Sequence, residues 1–301
     1  MAMEGDVQLT KFNVLSMEWM KEPAIGAIAC RRNGTSFHGS LIHDFGVLIL
    51  IVYEQESRED SMEHAMLGDT TCQILHVHLK QLRRWIIDGE RSDLVNYLLE
   101  GDILWETDHK IQLLRQEIMA FEGTLREQKL FHEFASFLNH YVLAKRCMKE
   151  GQALDAYHRV LQALHHWACI ELIDRGILPT VNVWQEVQTV NKGVYKLYEE
   201  LTLSIETVEQ RVELVLLACE FSVMSKMADC SVLLFRILRS RREPWSIQEL
   251  INHPELIHVK FELPLVLRKL VYRSFIKEIA KNGSKATYYN DKPNELRYCS
   301  Y

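Results

Sequence analysis

The chain has 301 residues, 48% of them hydrophobic and 25% charged, the composition of a globular protein long enough for two or three domains. Its longest uninterrupted apolar run, Val47 to Tyr53, falls far short of the roughly 18 residues that a membrane-spanning helix needs. Met1 to Asp6 lacks the basic and apolar stretches of a secretion signal, so a cytoplasmic protein with no membrane partner is expected. The net charge of −6 argues against wholesale coating of nucleic acid, but it is unevenly placed. Residues 236–301 carry 13 Lys or Arg against 7 Asp or Glu, and the preceding 235 carry 22 against 34. A basic C-terminal module on an acidic body is implied. Seven scattered cysteines without a C-x-x-C pair point to free thiols rather than disulfides or a cysteine zinc site.

Residues 1–106 read as an α/β domain. A helical stretch over about 11–32 precedes two apolar strands, 47–53 and 72–79. The charged segment Glu54–His64 between them reads as a solvated loop. The apolar residues Leu82, Trp85 and Ile86 keep helical spacing up to Gly89, which ends that helix. A second helix over Ser92–Leu99 closes at Gly101, and Asp102–Glu106 forms a short edge strand.

Residues 107–227 read as helical throughout, with stops at Gly123, Gly151, Gly176 with Pro179, and Gly193. Phe131, Phe134, Leu138, Tyr141, Val142 and Met148 fall on one helix face, which predicts an antiparallel bundle. Along the next helix, Gln152–Leu172, the residues Asp155, His158, Arg159, Gln162, His165 and His166 fall within an arc of about 120°. That stripe is either a solvated outer face or the wall of a cleft. In the second case His158, Arg159, His165 and His166 are candidates to bind an acceptor or a phosphate.

Residues 228–301 read as helix (Cys230–Ser240), helix, helix and β-hairpin, the order of a winged helix-turn-helix. Ser246 and Glu249 form a capping box that starts the second helix. The third, about Leu263–Arg273, carries Arg268, Lys269, Tyr272 and Arg273 on one side. Lys281-Asn282-Gly283-Ser284-Lys285 reads as a turn joining strands 275–280 and 286–289. Arg268, Lys269, Arg273, Lys281 and Lys285 are the residues placed to meet RNA or DNA, since such binding needs cations that reach phosphates.

The segment Phe37-His-Gly-Ser-Leu-Ile-His-Asp-Phe-Gly46, running into the strand Val47–Tyr53, resembles the signature of the nucleotidyltransferase superfamily: Gly-Ser, a loop, then Asp-x-Asp on a strand. The resemblance implies that Gly39 and Ser40 touch a nucleoside triphosphate and that Asp44 is the catalytic carboxylate and a ligand of Mg²⁺. The position of the second carboxylate is Gly46. The third belongs on the next strand, which offers Gln73, His76 and His78 but no acid. The whole order of α/β domain, all-α helical bundle and winged helix is similar to that of nucleotidyltransferase-like proteins from spore-forming Gram-positive bacteria. Their implied ancestral reaction moves a nucleoside monophosphate from a triphosphate to an acceptor held by the bundle. With one carboxylate of three, two functions stay open: a transferase with a degenerate metal site, or a non-catalytic nucleotide sensor or nucleic-acid-binding regulator acting through its winged helix.

Overall fold

The structure, a computed structural model, describes residues 24–31, 45–54, 61–281 and 295–301. The chain divides into two compact units, residues 1–120 and 121–301.

In the N-terminal unit, strands β1 (Ala24–Arg31), β2 (Val47–Tyr53), β3 (Ser61–Leu67), β4 (Thr70–His78) and β5 (Asp102–Glu106) form one mixed sheet in the order β3-β4-β2-β1-β5. The β2–β4 pair is parallel and the others are antiparallel. The described residues of this unit also form helices α1 (Leu79–Asp88), α2 (Ser92–Glu100) and α3 (Lys110–Ala120). β2 is buried along its whole length, as a central strand of continuous apolar sequence should be. α1 stops at Gly89, whose φ of 76° only glycine adopts freely, with its N–H donating to the Trp85 carbonyl.

Two expectations for this unit are corrected. Residues 24–31 form a strand rather than part of a helix. Ala-Ile-Gly-Ala-Ile-Ala-Cys has helical propensity, but its small side chains let it lie between β2 and β5, where pairing on both edges overrides propensity. The fit is close: a Cβ on Gly26 would stand 2.7 Å from Ile111 Cγ1 and 2.9 Å from the Trp105 carbonyl oxygen. Within the segment read as a charged loop, Ser61–Leu67 is the edge strand β3, joined to β4 through Gly68 at φ 62°. Its exposed Met62 and charged Glu63 are what a one-sided edge permits.

The C-terminal unit begins with α4 (Gly123–Lys149), α5 (Ala153–Asp174), α6 (Val183–Val190), α7 (Lys192–Leu203) and α8 (Val208–Ser222), an all-helical bundle. It continues through α9 (Met227–Cys230), α10 (Val232–Arg239), β6 (Trp245–Ser246), α11 (Ile247–Ile251), α12 (Leu263–Tyr272), β7 (Ile276–Lys281) and β8 (Glu295–Ser300). Gly151 and Gly176 follow helices at φ 73° and 74°, as expected. Gly123 instead opens α4, and Gly193 lies in the first turn of α7. The capping box of Ser246 and Glu249 is formed, and a second one, Thr207 with Gln210, starts α8.

The last three strands make an antiparallel sheet ordered β6-β8-β7, the wing of a winged helix. The partner of β7 is β8, with Lys281 opposite Glu295; the strand expected over 286–289 lies outside the described residues. β8 also bonds β6 on its other edge and places Tyr298 in the core. One continuous apolar core runs from Phe131 and Leu138 through Trp167 and Val215 to Leu233, Val266 and Tyr298.

All seven cysteines are free, and four are buried. Burial pushes the Cys219 thiol up to about 12. Among the described residues no helix is long and apolar enough to cross a membrane.

Candidate functional site

Gly39, Ser40 and Asp44 lie outside the described residues, and the mouth of β2 is described from Phe45 onward. Gly46 is pinned there: its N–H donates to the Thr71 carbonyl at 2.8 Å and lies 3.2 Å from Thr71 Oγ1. A Cβ at position 46 would stand 2.8 Å from Thr70 Cγ2, so a carboxylate at this seat would require Thr70 to move. On β4, Gln73, in register with Leu48 of β2, is a neutral amide with the shape of glutamate. Gln73 is buried, and its Nε2 donates to Met62 Sδ at 3.1 Å. Glu54, at the far end of β2, is taken by Lys110, whose Nζ lies 2.8 Å from both carboxylate oxygens. Mg²⁺ needs hard oxygen ligands in octahedral array, and a pair of such ions needs several carboxylates. Among the described residues no group of three His, Cys, Asp or Glu could hold a metal ion.

The second candidate region is the polar stripe of α5. It does not act as one surface. His158 is exposed, and Arg159 Nη1 donates to Gln162 Oε1 at 3.2 Å. His166 turns inward, its Nδ1 2.7 Å from Glu133 Oε2. Glu133, on α4, is almost fully buried, and its other oxygen lies 2.8 Å from Lys129 Nζ. Burial alone would raise the Glu133 pKa, but Lys129 and the His166 hydrogen bond outweigh it and hold the carboxyl well below the usual range. With Glu133 ionised, His166 carries its proton on Nδ1. His140 stacks on His166 with centroids 5.5 Å apart and planes 8° from parallel. Burial, reinforced by the charges of His166, Arg159 and His158, lowers the His140 pKa to about 4.

His165 lies beside Trp184, which stacks on Tyr198 at 3.9 Å. Desolvation by its neighbours lowers the His165 pKa, and His166 adds to the effect. Together Gln162, His165, His166, Trp184 and Tyr198 line a groove of ≈ 380 Å³. Glu133, His140, Trp184 and Tyr198 are absent from the stripe because they come from other helices. The one sequence signal for them is Lys129 and Glu133, a charged pair at i and i+4 beside the apolar face that holds Phe131 and Phe134.

The third region is the basic side of α12, which the structure splits. Arg268 Nη1 donates to both carboxylate oxygens of Glu278 on β7 at 2.7 Å. Lys269, Tyr272 and Arg273 instead face the end of α4 across a cleft of ≈ 710 Å³. Lys281 ends β7, and Lys285 lies outside the described residues.

Three family models match the chain in succession: a nucleotidyltransferase-like model over residues 15–126, a YgxA-like substrate binding domain over 127–226, and a helix-turn-helix domain over 233–291. The protein YgxA of Bacillus subtilis (strain 168) is 32% identical over 246 residues, which is 82% of this chain and 82% of that protein. The crystal structure of a nucleotidyltransferase-like protein from Exiguobacterium sibiricum 255-15 superposes with a TM-score of 0.87 at 27% identity, covering 97% of this chain and 99% of that one.

Proposed function

Because the chain belongs to the YgxA-like family of nucleotidyltransferase-like proteins, we propose that it is a non-catalytic member: a cytoplasmic nucleic-acid-binding regulator that acts through its helix-turn-helix domain. The observation that carries this reading is the seat of the second carboxylate. Gly46 has no side chain, and the methyl of Thr70 fills the space one would enter. Without that carboxylate, and with Gln73 in place of an acid on β4, the charge that offsets two metal ions and a triphosphate is missing. No transfer step is therefore routed through Mg²⁺. Gly39 and Ser40 keep the residue types for contacting the phosphates of a bound nucleotide, and Asp44 is the single acid left beside them.

The test is incubation of the full chain with each α-labelled nucleoside triphosphate, Mg²⁺ or Mn²⁺, and RNA, protein or small-molecule acceptors. No label is transferred, while a mobility shift with oligonucleotides is seen at low salt. Transfer that disappears in Asp44→Ala overturns the reading.

The groove on the bundle supports a second reading, in which the domain still holds an acceptor. Buried Glu133 orients His166, and His165 stands beside the stacked Trp184 and Tyr198, an arrangement suited to a planar ligand. His165 and His166 would then contact that ligand, while His158 and Arg159 do not line the groove. Retention of any nucleotide or RNA fragment by the intact chain but not by His166→Ala favours this second role.

A further inference from the structure

The cations on α12 do not stand alone. Across the cleft from Lys269 and Arg273 lie Lys145, Arg146 and Lys149, in the last turns of α4. Two carboxylates share the space. Glu150 is engaged by Arg146 at 2.9 Å, and Glu220 by Lys145 at 3.0 Å and by the Tyr141 hydroxyl at 2.9 Å. Among the described residues, Lys149, Lys269 and Arg273 form no ion pair, although the charge of Arg273 acts on Glu220, so the cleft carries five cations against two acids. Cations in a last helical turn also complement the helix dipole. That accounts for each helix by itself but not for the convergence of two helices, from the bundle and from the winged helix, on one space.

Tyr272, 81% exposed, stands on the same side of α12, three residues from Lys269 and next to Arg273. A groove of cations that follows a phosphate backbone, with an exposed aromatic on which bases stack, is the way proteins hold single strands. Reading of duplex DNA needs the opposite arrangement, a helix whose polar face projects outward into the major groove. Here the outer cation, Arg268, is tied down by Glu278, and Lys269 and Arg273 face the end of α4.

We infer that the cleft between the end of α4 and α12 binds a single-stranded nucleic acid, its phosphates on Lys149, Lys269 and Arg273 and a base on Tyr272. The inference rests on the reading that the C-terminal unit binds nucleic acid, and it adds the strand type and the contribution of the bundle.

Fluorescence anisotropy of the full chain with labelled 12-mers of single-stranded DNA, single-stranded RNA and duplex DNA tests it. Single strands bind more tightly than duplex. With three phosphate contacts, affinity falls roughly twentyfold between 50 and 200 mM salt; Lys149→Ala or Lys269→Ala lowers that to roughly sevenfold. Tyr272→Ala weakens binding at both salt concentrations, and Lys196→Ala, on an exposed position away from the cleft, leaves it unchanged. Circular dichroism of each variant confirms folding. Duplex binding that matches or exceeds single-strand binding, or single-strand binding indifferent to Lys149→Ala, overturns the inference while leaving nucleic-acid binding intact. Failure of every oligonucleotide to bind at 50 mM salt overturns both.

Discussion

Glu133→Ala tests the account of the bundle most directly. The carboxylate is buried and makes two charge-assisted contacts, to Lys129 Nζ at 2.8 Å and to His166 Nδ1 at 2.7 Å. Removing one member of a buried, hydrogen-bonded charge network costs about 3–5 kcal/mol. In a unit the size of residues 121–301, each kcal/mol moves the melting temperature by about 2–4 °C, so a fall of roughly 6–20 °C is expected. Glu133→Gln keeps the shape and can still accept from Lys129, and it loses less, about 1–3 kcal/mol.

The pH dependence supplies an independent check. The folded Glu133 carboxyl titrates below its unfolded value of about 4.3. Its stabilisation is therefore complete above that value and is lost as pH falls through the folded one. The gap between wild type and Glu133→Ala narrows on acidification below about pH 4. Urea melts and differential scanning fluorimetry from pH 3 to 7 measure both effects. An alanine variant within about 1 kcal/mol of wild type at pH 7, or a gap that widens in acid, would refute the network as described.

Other expectations concern separate parts of the chain. Gly46→Ala destabilises the N-terminal unit by about 1–3 kcal/mol, and adding Thr70→Ser, which removes the obstructing methyl, restores most of the loss in a urea melt. Thr207→Ala removes the side-chain cap of α8 and lowers stability by about 1 kcal/mol, measured by thermal melting. Arg268→Ala leaves oligonucleotide affinity at the wild-type level in the anisotropy assay, because its guanidinium is already held by Glu278; a large loss would mean that the pair opens to meet the ligand.

What could be read from the sequence follows the range of the interaction responsible. The continuous apolar run of β2, the stop at Gly89 and the Ser246 capping box depend on neighbours within a few residues, and all stand in the structure. β1 and β3 were not visible as strands, because Ala24–Arg31 is held by pairing on two edges and Ser61–Leu67 by pairing on one. The strand expected over 286–289 lies outside the described residues, while Glu295–Ser300, with no turn signal of its own, pairs with β7 and brings Tyr298 to the core. In the bundle, the sequence shows His165 and His166 on one stripe but not that His166 turns toward Glu133 from another helix. The basic side of α12 was legible as composition; its division between Glu278 and the cleft depends on side chains far apart in the chain.

The unbroken hydrophobic interior that joins Phe131 to Tyr298 limits how the molecule can be dissected. Excision of residues 228–301 would strip Leu233, Ile237 and Val266 of the helices that cover them and would cut the ion pair between Arg236 and Glu127. The helix-turn-helix domain is thus not a detachable head on a tether. A ligand that loosens or tightens the bundle alters the footing of the wing directly, without any hinge to carry the message.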